Sequence, residues 1–444
     1  MHKRLILLPL AFCAIAMASI SGEELKTPSP PPAAIIPADN PGSFDPGAAT
    51  QAWLDTVPAD KRAKSDAYFE GGYWLLLWNV LLTVAISIFL LQTRISAGLR
   101  NFAERCASFR SLQVAIYVVG FVILMAVLSF PLAVYEQFFR EHQYGLATQT
   151  FGPWFLEQIK ALGVALVAAP ISLMILYAVF RRAPRTWWIW GAVVGVALSI
   201  FGAFIAPIYV EPIFNSYKPL SDPATRDPIL AMARANEIPV QQVFVVDASR
   251  QTTRVSANVA GFFGTTRIAL NDNLLKQCTL PEIRMVMAHE MGHYILNHGA
   301  KLATYSGIFF LAGFALMSKF FNAAVQRWGG RWGVNGIGDP AGLPLLLLLL
   351  SILSFLATPL TNTVIRVTER EADAFGINTS HEPEGFAMVS LKLGVYRKLN
   401  PGPVEEFIFY DHPSGRARIR MAMDWKAAQL PPGDGATKTT MPMP

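Results

Sequence analysis

The sequence predicts an α-helical polytopic membrane protein of six to seven transmembrane helices, with α+β segments of mixed polarity set between and after the spans. Three observations carry this. The 444 residues are 52% hydrophobic and only 15% charged, whereas an average soluble domain is about a quarter charged. Six apolar runs, near 73–92, 114–135, 160–180, 187–208, 304–321 and 343–361, approach or exceed the roughly 20 residues a helix needs to cross the bilayer core. The last of them, "LPLLLLLLSILSFLATPL", is apolar all round, so a single buried face cannot account for it.

The chain divides accordingly. Residues 1–22 combine a basic start, an apolar run and small residues. That is the grammar of a signal peptide, and the run is also just long enough for a first membrane span; both readings stand. Residues 23–72 form a Pro/Ala-rich extramembrane segment, expected to run extended and outside any packed core. Four spans fill 73–208, and 209–302 has mixed polarity. Two more spans fill 303–361, a second mixed segment covers 362–430, and 431–444 reads as a disordered tail. Within 209–302, "VQQVFVVDA" (240–248) and "TTRIALND" (265–272) read as short strands. "LPEIRMVMAHEMGHYILNHGAKL" reads as one helix, with Thr279 and Glu282 forming a capping box at its start.

Charge and cysteine content narrow the function. The net charge is +6, but Lys and Arg fall mostly in short segments between apolar runs, as membrane topology requires. No basic stripe with interleaved aromatics is present, so nucleic acid is not expected as a partner. Cys13, Cys106 and Cys278 are widely spaced and form no CxxC. They predict neither a disulfide framework nor a thiolate metal site. A metal would have to be held by His and carboxylate.

Such a set is present in "AHEMGHYILNH", residues 288–298. His289 and His293 are four apart, so on a helix they share one face and can grip one ion. Glu290 is rotated by about 100°, beside such an ion, where it can polarise a water. This HExxH spacing is that of zinc metallopeptidases, and imidazole with carboxylate suits Zn²⁺. A catalytic zinc needs a third protein ligand. "VIRVTEREADAFGI" (364–377) offers Glu369, Glu371 and Asp373. If Glu369 binds the ion, Asp373 sits one turn away and can accept a hydrogen bond from a ligand imidazole. Glu371 would then point to the other side. Taken alone, this acidic cluster reads as a solvated helix face paired with Arg366 and Arg370; the upstream motif decides against that. His298 reads as structural.

Together these segments resemble the type I CAAX prenyl proteases, membrane-embedded gluzincin zinc endopeptidases. The resemblance covers most of the chain after residue 65. It is strongest in "IAPIYVEPIFNSYKPL", "VQQVFVVDASRQTTRVSANVAGFFGTTRIALNDNLL", "VMAHEMGHYILNH", "TEREADAF" and "HPSGRARI". It implies a gluzincin-like α+β core and a barrel of helices around a water-filled chamber. His289, His293 and Glu369 would be the zinc ligands and Glu290 the base, with Asp373, the acid of the family's ExxAD segment (Glu369 to Asp373), behind the ligands. His412 and Arg418 would stand at the active site, and Asn258 on an edge strand that holds peptide. Val259 and Ala260 depart from the family, which commonly carries an aromatic there.

The expected function is therefore zinc-dependent peptide hydrolysis in a membrane, on a peptide or protein substrate that is lipid-modified or plain, with membrane lipid as surroundings. C-terminal processing of prenylated proteins is what the resemblance implies; one alternative is a membrane-protein quality-control protease without a prenyl requirement. A non-catalytic transport or binding protein with a structural zinc is the third reading, and Glu290 argues against it. Arginine-bearing segments 93–113, 181–186 and 322–342 alternate onto one side of the membrane, which the positive-inside rule makes cytoplasmic. The site would then face the periplasm of a bacterial inner membrane, whereas the eukaryotic relatives imply a cytosol-facing site.

Overall fold

The computed structural model describes residues 44–260 and 266–430. The expectations for residues 1–22 and for the 431–444 tail lie outside them. Among the described residues, six helices are long and apolar enough to cross a membrane. The first four follow a short helix α1 (Pro46–Asp55): α2 (Ala59–Gln92), α4 (Arg110–Gln143), α5 (Phe151–Arg182) and α6 (Trp187–Phe214). An amphipathic helix α3 (Ile95–Cys106) links α2 to α4.

After α6 the chain builds a small four-stranded sheet from β1 (Tyr217–Pro219), β2 (Val243–Val246), β3 (Ala257–Ala260) and β4 (Arg267–Asn271), in the order β1-β2-β4-β3. β2 and β4 run parallel, while β1 and β3 pair antiparallel to them. The predicted strands at 240–248 and 265–272 are β2 and β4, trimmed at both ends. Helix α7 (Pro223–Ala235) lies between β1 and β2. Then come α8 (Asp272–Gln277), α9 (Leu280–Ile295), α10 (His298–Trp332) and α11 (Leu343–Ser380). The last three helices are α12 (Pro383–Leu393), α13 (Pro403–Phe409) and α14 (Gly415–Gln429).

Two apolar cores result. One joins the spans and centres on Tyr117, Phe121, Tyr177, Trp187 and Phe321. The other lies outside them and packs α1, α7, the sheet, α9, α12 and α14 around Ile229, Ile268, Met287 and Ile419.

Three expectations are corrected. Residues 23–72 are not extended throughout: from Pro46 they form α1, which buries Ala49, Trp53 and Leu54 in the second core. The local cue is a helix start, with Asp45 accepting from the Gly47 N–H at 2.7 Å and Pro46 at the first position. Composition averaged over the Pro-rich run upstream hides it.

The segment 280–302 is not one helix. The predicted capping box opens α9, with the Thr279 N–H on Glu282 at 2.8 Å, but the helix stops at Leu296. Asn297 takes a left-handed φ of 53° and α10 starts afresh, a conformation Asn tolerates better than most residues. Finally, the boundary at 361/362 does not exist as a break. α11 runs unbroken from Leu343 to Ser380, so one helix is both membrane span and wall of the site.

The spans have two distinct ends. At one, the arginine-bearing segments meet: the Arg94 Nε donates to the Arg331 carbonyl at 2.8 Å, and Arg100 pairs with Asp339 at 2.5 Å. At the other, Tyr73 donates to Glu405 at 2.7 Å and Arg254 pairs with Glu141 at 2.7 Å, so the helices clasp the second core.

Candidate metal centre

α9 and α11 cross closely because each presents a glycine to the other. A Cβ on Gly292 would stand 3.1 Å from the Phe375 ring and 3.3 Å from the Ala372 Cα. One on Gly376 would stand 3.0 Å from the His289 N. The sequence tolerates a glycine mid-helix here, at a cost of about 1 kcal/mol in propensity, in exchange for contact between backbones.

That contact sets histidines against carboxylates. The Nε2 atoms of His289 and His293 lie 3.1 Å apart. Glu369 Oε2 is 3.4 Å from the first and Oε1 is 3.5 Å from the second. Each ring is held by its other nitrogen. Asp373 Oδ1 lies 2.8 Å from His289 Nδ1, and His298 Nδ1 lies 2.8 Å from His293 Nδ1.

From α14, Arg418 donates to Asp373 Oδ2 at 2.7 Å and to Glu369 Oε2 at 3.3 Å. Its guanidinium therefore braces the two carboxylates of α11. His412 brings Nε2 to 3.0 Å from Glu369 Oε2, while its Nδ1 is 2.8 Å from Asp411. Glu290 differs from all of these: its carboxylate has neither hydrogen bond nor ion pair among the described residues.

Burial sets the electrostatics. It disfavours a charged His289, but the Asp373 and Glu369 carboxylates outweigh it and raise that group to about 10. Burial lowers His293 to about 4 and His412 to about 3. It raises Glu290 to about 7. The site thus favours one positive charge between the paired imidazoles and keeps a carboxyl beside it that changes state near neutrality.

The cluster lies in a pocket of about 100 Å³ lined by Glu290, Glu369 and His412. A larger cavity of about 700 Å³ shares Val255, Ser256, Ala257, Tyr396 and Arg397 with it, so the two meet along the residues leading into β3. β3 is an edge strand. Asn258 lines the larger cavity, and its Oδ1 is buried without a hydrogen-bond partner among the described residues.

Comparison with known proteins identifies the family. Residues 219–426 match the model of peptidase family M48, and residues 48–216 match the CAAX prenyl protease N-terminal model, described as five membrane helices. A rice protein named CAAX prenyl protease 1 homolog (Oryza sativa subsp. japonica) is 30% identical, over 67% of this chain and 70% of its own length. The chain belongs to the type I CAAX prenyl protease family. A Bacillus subtilis relative, named "Uncharacterized metalloprotease YhfN", is 29% identical over 81% of this chain and 85% of its own. The crystal structure of S. mikatae Ste24p shares the fold, with a TM-score of 0.72 at 21% identity, covering 83% of this chain and 90% of that one.

As a member of this family the chain is a multi-pass membrane metallopeptidase, and its site fits a metal. His289, His293 and Glu369 offer three donor atoms within 4.8 Å of one another. Two donors each about 2.0–2.1 Å from one tetrahedral zinc stand about 3.3–3.4 Å apart, close to the observed 3.1, 3.4 and 3.5 Å. Both Nδ1 atoms are engaged with partners behind the rings, so the two Nε2 atoms face each other across 3.1 Å. A metal ion there would take the place of the positive charge that the pair otherwise carries as a proton on His289.

Two roles were not legible in sequence. Arg418 reaches Asp373 and Glu369 across 45 and 49 residues of chain; only the resemblance placed it here. His298, which reads as structural in the sequence, lies 2.8 Å from His293 Nδ1.

Proposed function

We propose that the protein is a zinc endopeptidase that cleaves peptides at the chamber-facing pocket of α9 and α11. The observation that carries this is Glu290: a half-buried carboxylate with no partner among the described residues, raised to about 7, beside a three-donor cluster and facing a cavity bordered by an edge strand. His289, His293 and Glu369 would hold the zinc. Bound there, the ion would polarise the scissile carbonyl and bring the pKa of a water to about 7. Glu290 takes that water's proton and delivers it to the leaving amine. His412 lines the same pocket with its ring oriented by Asp411 at 2.8 Å, and would meet the developing oxyanion as a donor when its ring is protonated. Arg418 keeps Glu369 and Asp373 in place. Asn258 would offer its side-chain Oδ1, unpartnered among the described residues, to a peptide laid along β3.

The rice relative's name points to a prenylated substrate, which the resemblance would place at a C-terminus. The bacterial relative aligns over more of both chains than the rice one and favours a second reading, quality-control cleavage of membrane proteins with no prenyl requirement. The deciding experiment measures zinc content and hydrolysis of matched prenylated and plain fluorogenic peptides by the purified protein. One zinc per chain with a preference for prenylated peptides supports the first reading, and equal cleavage the second. No hydrolysis of either would refute the enzyme.

The same proposal places the site on the periplasmic face of a bacterial inner membrane, because the arginine-bearing segments gather at the opposite end of the spans. Cys106, exposed on α3 at that end, is the probe. In a Cys13→Ser background, a membrane-impermeant maleimide should leave Cys106 unlabelled in spheroplasts and label it in inverted vesicles. The reverse pattern inverts the topology.

A further inference from the structure

We infer that His298 is a positioning residue of the metal centre, and that it fixes the tautomer of His293 through a hydrogen-bond chain anchored on Glu371. This rests on the reading of His289, His293 and Glu369 as metal ligands, and it adds a residue that neither the HExxH nor the ExxAD motif contains.

The geometry is a relay. The His298 side chain is 1% exposed. Its Nε2 lies 2.9 Å from Glu371 Oε2 and its Nδ1 lies 2.8 Å from His293 Nδ1. Lys301, one turn further along α10, holds the same Glu371 oxygen at 2.6 Å. A carboxylate only accepts hydrogen bonds, so His298 Nε2 carries the proton. In a neutral ring the other nitrogen is then a bare acceptor. His293 must therefore donate from Nδ1, which leaves its Nε2 lone pair aimed at Glu369 and at His289 Nε2. With the opposite polarity, His293 would carry its proton on Nε2, in the position the ligand role needs empty.

The two ligand histidines thus use different devices. His289 donates straight to Asp373. His293 donates to a second imidazole, and a carboxylate stands behind that one. Partners of this kind fix ligand orientation and raise ligand basicity. The break at Asn297 is what makes the relay possible. On an unbroken helix a residue five positions on is rotated by about 140° at about 100° per residue, well away from the ligand face. The left-handed Asn297 turns the chain so that the first residue of α10 comes back against α9. The centre is consequently assembled from three helices, one of them a membrane span that carries no ligand.

The test is the zinc affinity of the full-length protein in detergent, measured by chelator competition, beside the melting temperature of each zinc-free form. His298→Leu keeps bulk and removes both hydrogen bonds; it is expected to weaken zinc by about 10–100-fold, as loss of such partners does. His298→Asn places an acceptor near the Nδ1 position and should recover most of that loss. Glu371→Ala, at a half-exposed site, should fold normally and give a smaller loss in the same direction.

His298→Leu that folds and binds zinc as tightly as the parent overturns the inference. So does an Asn variant as weak as Leu, which would mean packing rather than hydrogen bonding. If His298→Leu fails to fold, Asn and Glu371→Ala decide: parent-like affinity in Glu371→Ala overturns the relay. A parent that binds no zinc removes the metal reading itself, an outcome distinct from parent affinity with an indifferent His298.

Discussion

The two sides of the pocket are built on opposite principles. On the ligand side nearly every polar atom has a partner: His289 has Asp373, His293 has His298, and Asp373 and Glu369 share Arg418. On the substrate side the key atoms are free, with Glu290 unpaired among the described residues and Asn258 Oδ1 buried without a partner. Leaving a buried polar atom such as Asn258 Oδ1 unpaired costs about 1–3 kcal/mol, which a bound peptide would recover. On the proposed function, the contrast separates what would hold the metal from what would receive the peptide. It also predicts different failures: changes on the ligand side should release metal, and changes on the substrate side should alter turnover or KM with metal retained.

The sharpest separation is Glu290→Gln. It should keep one zinc per chain while kcat on a fluorogenic peptide falls by about 10²–10⁴-fold, the usual contribution of a general base. Full activity in this variant would end the base assignment. Asp373→Leu probes the other side. It removes the partner of His289 and leaves Arg418 with one carboxylate fewer, so zinc affinity should drop by about 10–100-fold. If metal stays bound at parent affinity and only kcat changes, the division between the two sides fails.

Gly376→Ala tests the helix crossing itself. Its Cβ would stand 3.0 Å from the His289 N and 3.1 Å from the His289 Cα, and backbone cannot yield as a flexible side chain does. Overpacking of this kind costs about 1–3 kcal/mol. Both melting temperature and zinc retention should fall. Gly292→Ala meets a ring edge and the Ala372 Cα instead and should be milder.

The pH profile tests Glu290 without a mutation. Burial raises its carboxyl to about 7, and the base works only when deprotonated. Activity should therefore be full above that limb and fall as pH drops through it, with a midpoint at or below about 7, since a bound divalent ion pulls it downward. Glu290→Asp should move the midpoint, whereas a limb that stays put belongs to another group.

Much of this was legible in the sequence, for identifiable reasons. Spanning helices announce themselves through length and apolarity, and all six candidate spans were read. HExxH and ExxAD were legible because i and i+4 place side chains on one helical face whatever the surroundings. What stayed hidden depends on contacts between distant segments. α1 lay beneath a Pro-rich average. The continuity of α11 was obscured because its polarity changes midway while its backbone does not. The role of His298 needed the Asn297 break, and a single Asn within a helical pattern is too weak a signal to place one. Asn258 became an edge-strand residue only once β4 paired with its other side.

The smallest expected effect is the one that best tests the idea of a waiting side. Asn258 stands in β3 opposite Ala269, and its amide faces the larger cavity. If that amide binds peptide backbone in the ground state and the transition state alike, Asn258→Ala should raise KM and leave kcat almost untouched. One net hydrogen bond of about 1 kcal/mol corresponds to roughly a fivefold change. Stability should not fall with it, because Ala removes an unsatisfied buried atom; an unchanged or slightly higher melting temperature is expected. A lower melting temperature with unchanged KM would mean that Asn258 has a structural partner in the protein, and the open side would then begin at Glu290 alone.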